Sequence, residues 1–214
     1  YPIWAPAKKR IVIPYGVDNF LFKKKKVKNS PKPKAIFTSN PLRGLEWLLD
    51  QWEFKIFPKV NNAKLDLYSG PTTYGKFGQK NSKKMWKVLE RAKSLVSKGV
   101  NLMEPINRRD LFKKIQESRV FLYRGTDDET FCMSLAESQM LGVPAVVCNF
   151  GCMSERIIQN KTGFICENDE EFCNNTINLL LYDNVWERMH KKLIKSPYHK
   201  KWEDIAKEWK QILQ

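Results

Sequence analysis

Residues 120–148 read VFLYRGTDDETFCMSLAESQMLGVPAVVC and contain a complete strand-helix-strand unit. A short apolar run at residues 120–123 precedes a polar loop, and a helical pattern follows near residues 134–141. Gly142 predicts the end of this helix, and Pro144 opens the next predicted strand at residues 145–148. Two strands joined through a helix are typical of a parallel β-α-β crossover.

The same alternation continues on both sides of this unit. Further short apolar runs, bounded by polar or turn residues, predict strands at residues 10–14, 35–38, 65–69, 100–104 and 163–166. Because helical patterns separate most of these runs, we predict an α/β fold: a parallel sheet with helices on both faces. Such a sheet binds ligands at the carboxyl ends of its strands.

The clearest helical pattern covers residues 82–98, with Ser82 as N-cap and Gly99 as C-terminal stop. Its apolar positions, spaced to form one buried face, are Met85, Val88, Leu89, Ala92, Leu95 and Val96. A second helix is predicted at residues 108–118, where it buries Leu111, Phe112 and Ile115.

After Asp169 the pattern becomes wholly helical. The last helix has an apolar face made of Trp202, Ile205, Ala206, Trp209, Ile212 and Leu213. We expect this face to pack back on the sheet; the alternative is that Trp202 and Trp209 dock a neighbouring domain. The predicted organisation is one domain over residues 1–214, with a basic segment at 1–34, a core at 35–168 and C-terminal helices at 169–214.

Composition narrows the class of protein. The 214 residues carry 38 Lys+Arg against 23 Asp+Glu, and 42% are hydrophobic, which indicates a folded chain rather than a disordered one. No run approaches the roughly 18 apolar residues of a membrane span.

Residues 1–34 contain ten Lys/Arg and one acid, Asp18. This segment could bind nucleic acid or an anionic membrane surface, but we favour a solvated loop because Ser, Asn and Pro interrupt its lysine run.

Cysteine and histidine usage excludes several kinds of site. The five cysteines fall within residues 132–173, are odd in number and form no C-x-x-C pair, which predicts free thiols in a reducing compartment. His190 and His199 lie in a lysine-rich stretch, which argues against a zinc site or a histidine-based triad. No signal peptide is visible, so export is not supported.

Two carboxylates flank the start of the helix near residue 134. If the segment is largely helical, the eight residues from Glu129 to Glu137 rise ~12 Å and leave the two side chains within ~80° around the axis. That reach suits a nucleotide diphosphate-sugar, with carboxylates accepting hydrogen bonds from hydroxyl groups and helix N-terminal amides facing the diphosphate. Exposed helices are rich in glutamate, so the spacing alone is weak support.

Several motifs in order resemble the group 1 glycosyltransferases of the GT-B class, retaining type. Residues 129–147 are similar to that family's E-x-F-G-x-x-x-x-E-A-x-A-x-G-x-P-V-V signature. Residues 11–18, IVIPYGVD, resemble its IPNGVD motif, and Arg43-Gly44 stands where the family has Lys-Gly. Gly151 with Glu155 resembles G-G-x-x-E, and residues 161–164 resemble its x-T-G-hydrophobic motif.

The resemblance implies a Rossmann-like donor-binding domain, one half of a GT-B fold. By position, Glu137 would bind the ribose and Glu129 the donor sugar, and Arg43 would neutralise the leaving diphosphate. Further donor contacts are implied for Phe131, Cys132, Met133 and Ser134, mainly through their backbone. The implied reaction is retaining, takes place in the cytoplasm and needs neither metal nor cofactor beyond the nucleotide-sugar.

The implied partners are the donor and an N-terminal acceptor-binding domain, without which this chain should be nearly inactive. A peripheral contact with a membrane or an anionic acceptor is a further possibility, and no nucleic acid is expected. Two alternatives stay open: a non-catalytic nucleotide-binding relative and, with less support, a basic nucleic-acid-binding module.

The sequence departs from the family pattern at two places. Ser39-Asn40-Pro41 replaces the usual Gly-Arg after the first strand, so one phosphate-binding cation is missing or relocated; Arg124, Lys76 and Lys80 are candidates to replace it. Cys132 stands where the family has its second glycine, which adds a side chain where backbone should approach phosphate. Arg43 could also simply pair or cap on a helix surface.

Overall fold

A six-stranded parallel sheet lies at the centre of the computed structural model, which describes Pro6, residues 10–195 and residues 199–214. The strands are β1 (Lys34–Phe37), β2 (Lys64–Leu67), β3 (Val100–Leu102), β4 (Val120–Tyr123), β5 (Ala145–Cys148) and β6 (Gly163–Cys166). Their order in the sheet is β3-β2-β1-β4-β5-β6, with every neighbouring pair parallel. The predicted Rossmann-like α/β fold is confirmed.

Helices connect the strands and follow the last one. They are α1 (Leu45–Gln51), α2 (Gly75–Ser94), α3 (Arg108–Gln116), α4 (Met133–Met140), α5 (Met153–Arg156), α6 (Asp169–Leu181), α7 (Asp183–Lys195) and α8 (Trp202–Leu213). Short 3-10 turns occupy Asn19–Phe22, Pro71–Tyr74 and Val96–Lys98, and a π turn, Trp52–Ile56, extends α1. No described helix is both long and apolar enough to cross a bilayer.

The central strands were predictable because helices cover both of their faces. All four residues of β4 and of β5 are buried, which is the pattern of a parallel sheet rather than of a half-exposed one. The strand predicted at residues 10–14 is wrong: this run has no regular secondary structure, and Val12 is 93% exposed. It pairs with no strand, and Pro14 lacks the amide hydrogen that a ladder needs.

The helix predicted at residues 82–98 starts earlier than expected. α2 begins at Gly75, because the 3-10 turn Pro71–Tyr74 runs directly into it and Gly78 packs against the carbonyl of Pro71. Ser82 is therefore inside the helix and is not its N-cap. Gly99 stops the element as predicted, with a left-handed φ of +74°, after the 3-10 turn Val96–Lys98. That turn takes Val96 off the buried face.

The last helix does not pack back on the sheet as expected. Ile205 is the one apolar residue of α8 that is buried, and the other large ones are all more than 40% exposed: Trp202, Trp209, Ile212 and Leu213. The exposed ring of Tyr15 lies 5.8 Å from that of Trp202. The favoured prediction for α8 is therefore wrong, and the alternative of a docking face remains.

Buried cysteine and histidine side chains serve packing. All five cysteines are free, as predicted, and buried. His190 stacks on Trp186 with ring centroids 4.4 Å apart, and its Nδ1 lies 2.6 Å from the carbonyl of Gly142. Its Nε2 accepts a hydrogen bond from the Lys28 amide at 3.2 Å. This histidine thus joins the N-terminal segment to α7 and to the end of α4.

The strand order fixes where a ligand crevice forms. From β1 the chain winds outward through β2 and β3, and after β3 it returns to β4 and winds outward through β5 and β6 in the other direction. The direction reverses between β1 and β4. In open parallel sheets the crevice lies at the carboxyl ends of the two strands that flank this reversal.

Candidate functional site

An open cleft of about 770 Å³ lies at the carboxyl ends of β1 and β4. Its walls come from four segments: residues 38–43 after β1, residues 74–77 at the start of α2, residues 106–111 around the start of α3, and residues 129–137 after β4. Both glutamates of the predicted site line it, as do Arg43, Cys132, Met133 and Ser134. The position matches the crevice expected from the strand order.

The segment between the two glutamates is only half helical. α4 begins at Met133, so Glu129 lies in the preceding loop and Glu137 on the helix. The helical geometry considered from the sequence is therefore wrong for residues 129–132. The chain turns from the loop into α4 at Cys132. The φ of Cys132 is +55°, which is in the left-handed region, where glycine is favoured and other residues are strained.

Three donors hold the Glu129 carboxylate. The Arg43 guanidinium forms an ion pair with Oε2, and the Tyr123 hydroxyl donates to the same oxygen at 2.7 Å. The amide of Cys132 donates to Oε1 at 3.2 Å. The side chain of Glu129 is only 11% exposed, so its orientation is fixed before any ligand arrives.

The electrostatics of this cluster keep Arg43 charged and Tyr123 protonated. Burial opposes the charge of Arg43, but the Tyr123 hydroxyl and the Glu129 carboxylate outweigh it and raise the pKa of Arg43. Burial raises the pKa of Tyr123, so its hydroxyl keeps its proton. Arg43 therefore pairs across the cleft, from the loop after β1 to the loop after β4, rather than on a helix surface.

Glu137 has a different environment. It is buried, with 7% of its surface exposed, and its Oε1 forms an ion pair with the half-exposed Arg108. Burial raises the pKa of Glu137, and the charge of Arg108 opposes that rise. The sequence analysis missed Arg108. Its only signal was its place as the first residue of α3, which follows β3 at the same edge of the sheet.

The N-terminus of α4 faces the cleft between the two glutamates. Met133 and Ser134 line it, and the first amides of a helix have no partner within that helix.

Phe131 does not line the cleft, since its ring packs 5.4 Å from that of Tyr15 and lies under the Arg156 guanidinium. Burial, and to a smaller extent the charge of Glu129, raises the pKa of Cys132 to about 12, so this thiol is protonated.

The loop that replaces the family's Gly-Arg is an ordered turn. Asn40 Oδ1 accepts the Leu42 amide at 2.9 Å, and the Asn40 carbonyl accepts the Arg43 amide at 2.9 Å. Next to it, the hydroxyl of Thr38 lines the cleft and is buried without a hydrogen-bond partner among the described residues. A buried hydroxyl in this state is available to a ligand.

The three candidates for a replacement cation lie outside the cleft. The Arg124 guanidinium lies over the rings of Trp47 and Phe150, and its side chain packs against Gly44. Lys76 and Lys80 lie on α2 and do not line the cleft. The second guanidinium at the cleft is that of Arg108.

Gly151 shapes the loop that carries Glu129. A Cβ at this position would lie 2.5 Å from the Glu129 carbonyl, and the φ of Gly151 is +53°. The next amide, that of Cys152, donates to the same carbonyl at 2.9 Å. Gly151 therefore acts through its backbone, which approaches the Glu129 carbonyl closely. Among the described residues, no group of three His, Cys, Asp or Glu side chains is placed to hold a metal.

Solved structures share this fold. A TarM variant of S. aureus, solved with UDP, is 17% identical with a TM-score of 0.62, and the match covers 88% of this chain and 38% of that one. Sucrose-phosphate synthase from Thermosynechococcus elongatus is 15% identical with a TM-score of 0.72, covering 94% and 51%. Anabaena HepE, solved with UDP-glucose, is 14% identical with a TM-score of 0.64, covering 85% and 48%.

This chain therefore spans between about a third and a half of the length of these structures. A search of curated proteins found no match. The family model described as glycosyl transferases group 1 matches residues 72–200, which is more than half of the chain and includes the whole segment from Glu129 to Glu137. The chain belongs to the group 1 glycosyl transferases, and its sheet and helices have the Rossmann-like architecture of a GT-B domain.

Proposed function

We propose that this chain is the donor-binding domain of a retaining, metal-independent glycosyltransferase that uses a nucleotide diphosphate-sugar. One observation carries the proposal: the cleft at the β1/β4 reversal contains two carboxylates, two guanidinium groups and the N-terminus of α4 between them. These are the groups that a ribose, a diphosphate and a sugar require. That TarM and HepE were solved with UDP or UDP-glucose makes uridine nucleotides the first ligands to test.

In this proposal Glu137 binds the ribose. A buried carboxylate accepts hydrogen bonds from neighbouring hydroxyl groups, and such charge-assisted bonds are roughly twice as strong as neutral ones. The ion pair with Arg108 opposes the rise in the pKa of Glu137 that burial causes. Arg108 lies at the half-exposed rim, where its guanidinium can shift without leaving the cleft.

The diphosphate would lie between the two ion pairs. The amides of Met133 and Ser134 at the start of α4 donate to phosphate oxygens, and the helix dipole favours the negative charge. Breaking the sugar-phosphate bond leaves charge on a phosphate oxygen, which fixed donors stabilise. Arg43 is placed for this role because its planar fork can bind carboxylate and phosphate together.

Glu129 would contact the donor sugar and is the proposed catalytic residue. Its carboxylate is fixed by Arg43, Tyr123 and the Cys132 amide, so little reorganisation accompanies binding. At this position it accepts hydrogen bonds from sugar hydroxyls while the anomeric centre stays open to the acceptor.

The acceptor would come on a second, N-terminal domain that closes over the cleft and excludes water. Two observations support this part of the proposal: the chain spans only part of its structural neighbours, and the apolar face of α8 is exposed at Trp202 and Trp209. On this account residues 1–214 act as one donor-binding domain and bind donor, but turn over slowly when alone. We keep the prediction of a cytoplasmic site of action.

A non-catalytic nucleotide-binding relative is the second candidate. The observation that favours it is the ordered turn at Asn40, which replaces the family's usual arginine after β1. Such a relative would bind the nucleotide and fail to transfer sugar even with a second domain present. Transfer by a longer form of the protein distinguishes the two candidates.

The test is calorimetric titration of the chain with UDP, GDP, ADP and CMP, followed by the corresponding sugar nucleotides. We expect one diphosphate to bind, and Glu137→Ala to abolish that binding. Glu90→Ala is the matched control, because Glu90 is an exposed glutamate on α2 whose one ion pair among the described residues is with Lys93. Binding that survives Glu137→Ala would contradict the proposed site.

A further inference from the structure

A second concave surface lies away from the cleft, between residues 21–29 and α7. It consists of two adjoining depressions of about 480 and 700 Å³ that share Val27 and Lys195. We call it the basic groove. The cations that line it are Lys23, Lys24, Lys25, Lys28, Arg188, Lys191 and Lys195, and Glu187 is the one lining acid among the described residues.

The fold gathers these charges from two distant parts of the chain. Arg188, Lys191 and Lys195 recur at helical spacing on one side of α7, while the opposite side of that helix is buried in the core through Trp186, Met189 and Leu193. The N-terminal segment runs beside them because the Lys28 amide donates to the buried His190. The lysine run of residues 23–28 is therefore held against α7.

The charges of the groove are not neutralised within the protein. Over the part of the chain that the structure describes, none of its seven cations forms an ion pair with a carboxylate. By contrast, Lys113 on α3 is paired with Asp110 on the same helix, and Lys114 is paired with Glu117 just after the helix. The Lys25 and Lys28 ammonium groups bind backbone carbonyls, and the Lys23 ammonium lies 4.8 Å from the centroid of the Phe20 ring. The remaining cations of the groove are exposed: Lys24, Arg188, Lys191 and Lys195.

The floor of the groove is apolar. Leu21, Met140 and Leu193 form its buried part, while Phe22 and Ile194 are half-buried and Val27 is 46% exposed. Lysine stems can lie along such a floor while their ammonium groups reach outward. A cationic rim around an apolar floor is complementary to a surface that combines anionic headgroups with hydrocarbon just beneath them.

We propose that the basic groove docks the protein on an acidic membrane surface. Juxtaposed lysines and arginines are attracted to anionic lipid headgroups, and Val27 supplies apolar contact at the same place. Single-stranded nucleic acid fits less well, because single strands bind through stacking on aromatic rings. The one aromatic residue among the described lining, Phe22, already carries the Lys201 ammonium 5.2 Å from its ring centroid. The inference stands apart from the proposed donor site.

The test is co-sedimentation of the 214-residue chain with phosphatidylcholine vesicles that contain or lack about 30 mol% phosphatidylserine. The groove variant combines Lys24→Gln, Lys191→Gln and Lys195→Gln. The control variant combines Lys83→Gln, Lys84→Gln and Lys87→Gln, which are exposed lysines on α2 without an ion pair among the described residues. The two variants have the same net charge, and a thermal melt checks that each is folded.

We expect binding to the acidic vesicles alone, reduced more than about tenfold in the groove variant and nearly unchanged in the control. Val27→Asn should give a smaller loss of about threefold. Equal losses in both triple variants would overturn the proposal, since they would indicate attraction to net charge alone. Absence of vesicle binding, or groove-dependent binding to single-stranded RNA instead, would also overturn it.

Discussion

The loop half and the helix half of the segment between Glu129 and Glu137 hold their carboxylates in opposite ways. Glu129, in the loop, is fixed by Arg43, by the Tyr123 hydroxyl and by the Cys132 amide. Glu137, on α4, is more deeply buried and has one described side-chain partner, Arg108, which is half-exposed. One carboxylate is locked in place, and the other is held by a group that can move.

This difference suggests a division of labour within the proposed site. A locked carboxylate suits the reacting end of the donor, because fixed groups stabilise a transition state without reorganising. A buried carboxylate with a movable partner suits binding, because it can exchange or share its ion pair with incoming hydroxyls. Glu137 should therefore govern nucleotide affinity, and Glu129 should govern the response to the sugar.

The largest expected effect is on nucleotide affinity in Glu137→Ala. Loss of two charge-assisted hydrogen bonds to the ribose should weaken binding of the nucleotide diphosphate by about 100-fold, or roughly 3 kcal/mol. Glu129→Ala should change the same affinity less than about fivefold, because Arg43 then remains free to bind phosphate. Calorimetry on both variants measures the two losses of affinity. Equal losses would contradict the proposal that Glu137, and not Glu129, governs nucleotide affinity.

Glu129→Gln should act on the sugar instead. The amide keeps the size of the side chain but loses the charge that pairs with Arg43 and accepts sugar hydroxyls. We expect the preference for the sugar nucleotide over the free diphosphate to fall about tenfold, with affinity for the diphosphate almost intact. Paired titrations of the two ligands measure this preference, and an unchanged ratio would place the sugar elsewhere.

The pH dependence of binding should also separate the two glutamates. Because burial raises the pKa of Glu137, its carboxylate gains a proton at a higher pH than an ordinary glutamate, and nucleotide affinity should fall several-fold as the pH drops through that range. Arg108 opposes the rise in the pKa, so Arg108→Gln should move the fall to higher pH still.

Comparison with Glu137→Gln separates the titration of Glu137 from that of the nucleotide, because this variant has no carboxylate at position 137. The part of the fall in nucleotide affinity that Glu137 causes should appear in the wild type and not in this variant. If both proteins lose affinity along the same curve, the titrating group belongs to the nucleotide or to another residue.

The smallest expected effect is on stability in Tyr123→Phe. Removing the hydroxyl that donates to Glu129 at 2.7 Å should lower the free energy of unfolding by about 1 kcal/mol. Urea denaturation measures the loss, and Tyr68→Phe is a matched control because Tyr68 is only partly buried and directly follows β2. A loss as large in Tyr68→Phe would mean that the Glu129 bond is not what stabilises the loop.

The sequence predicted the sheet well because its strands are buried on both faces. Such strands appear as short apolar runs, as at residues 120–123 and 145–148. The run at residues 10–14 is also largely apolar but has no neighbouring strand to pair with, and a pattern within one segment does not contain that information. The same limit applies to α8, whose amphipathic pattern predicts an apolar face but not what covers it.

The site was predictable only in part for a related reason. Glu129, Glu137 and Arg43 follow from spacing and from ordered motifs. The ion pair between Arg108 and Glu137 joins residues 29 positions apart on different helices, so it depends on how α3 and α4 pack. The left-handed conformation of Cys132 agrees with the glycine that the family has at this position, but neither it nor the hydrogen bond from the Cys132 amide to Glu129 was predicted, because both depend on the folded loop.

The most direct test of the account is a crystal structure of the chain with the diphosphate that binds best. The account predicts the ribose hydroxyls on the Glu137 carboxylate, the diphosphate against the amides of Met133 and Ser134, and Arg43 within reach of the terminal phosphate. A nucleotide bound away from the carboxyl ends of β1 and β4, or one whose ribose does not contact Glu137, would contradict it.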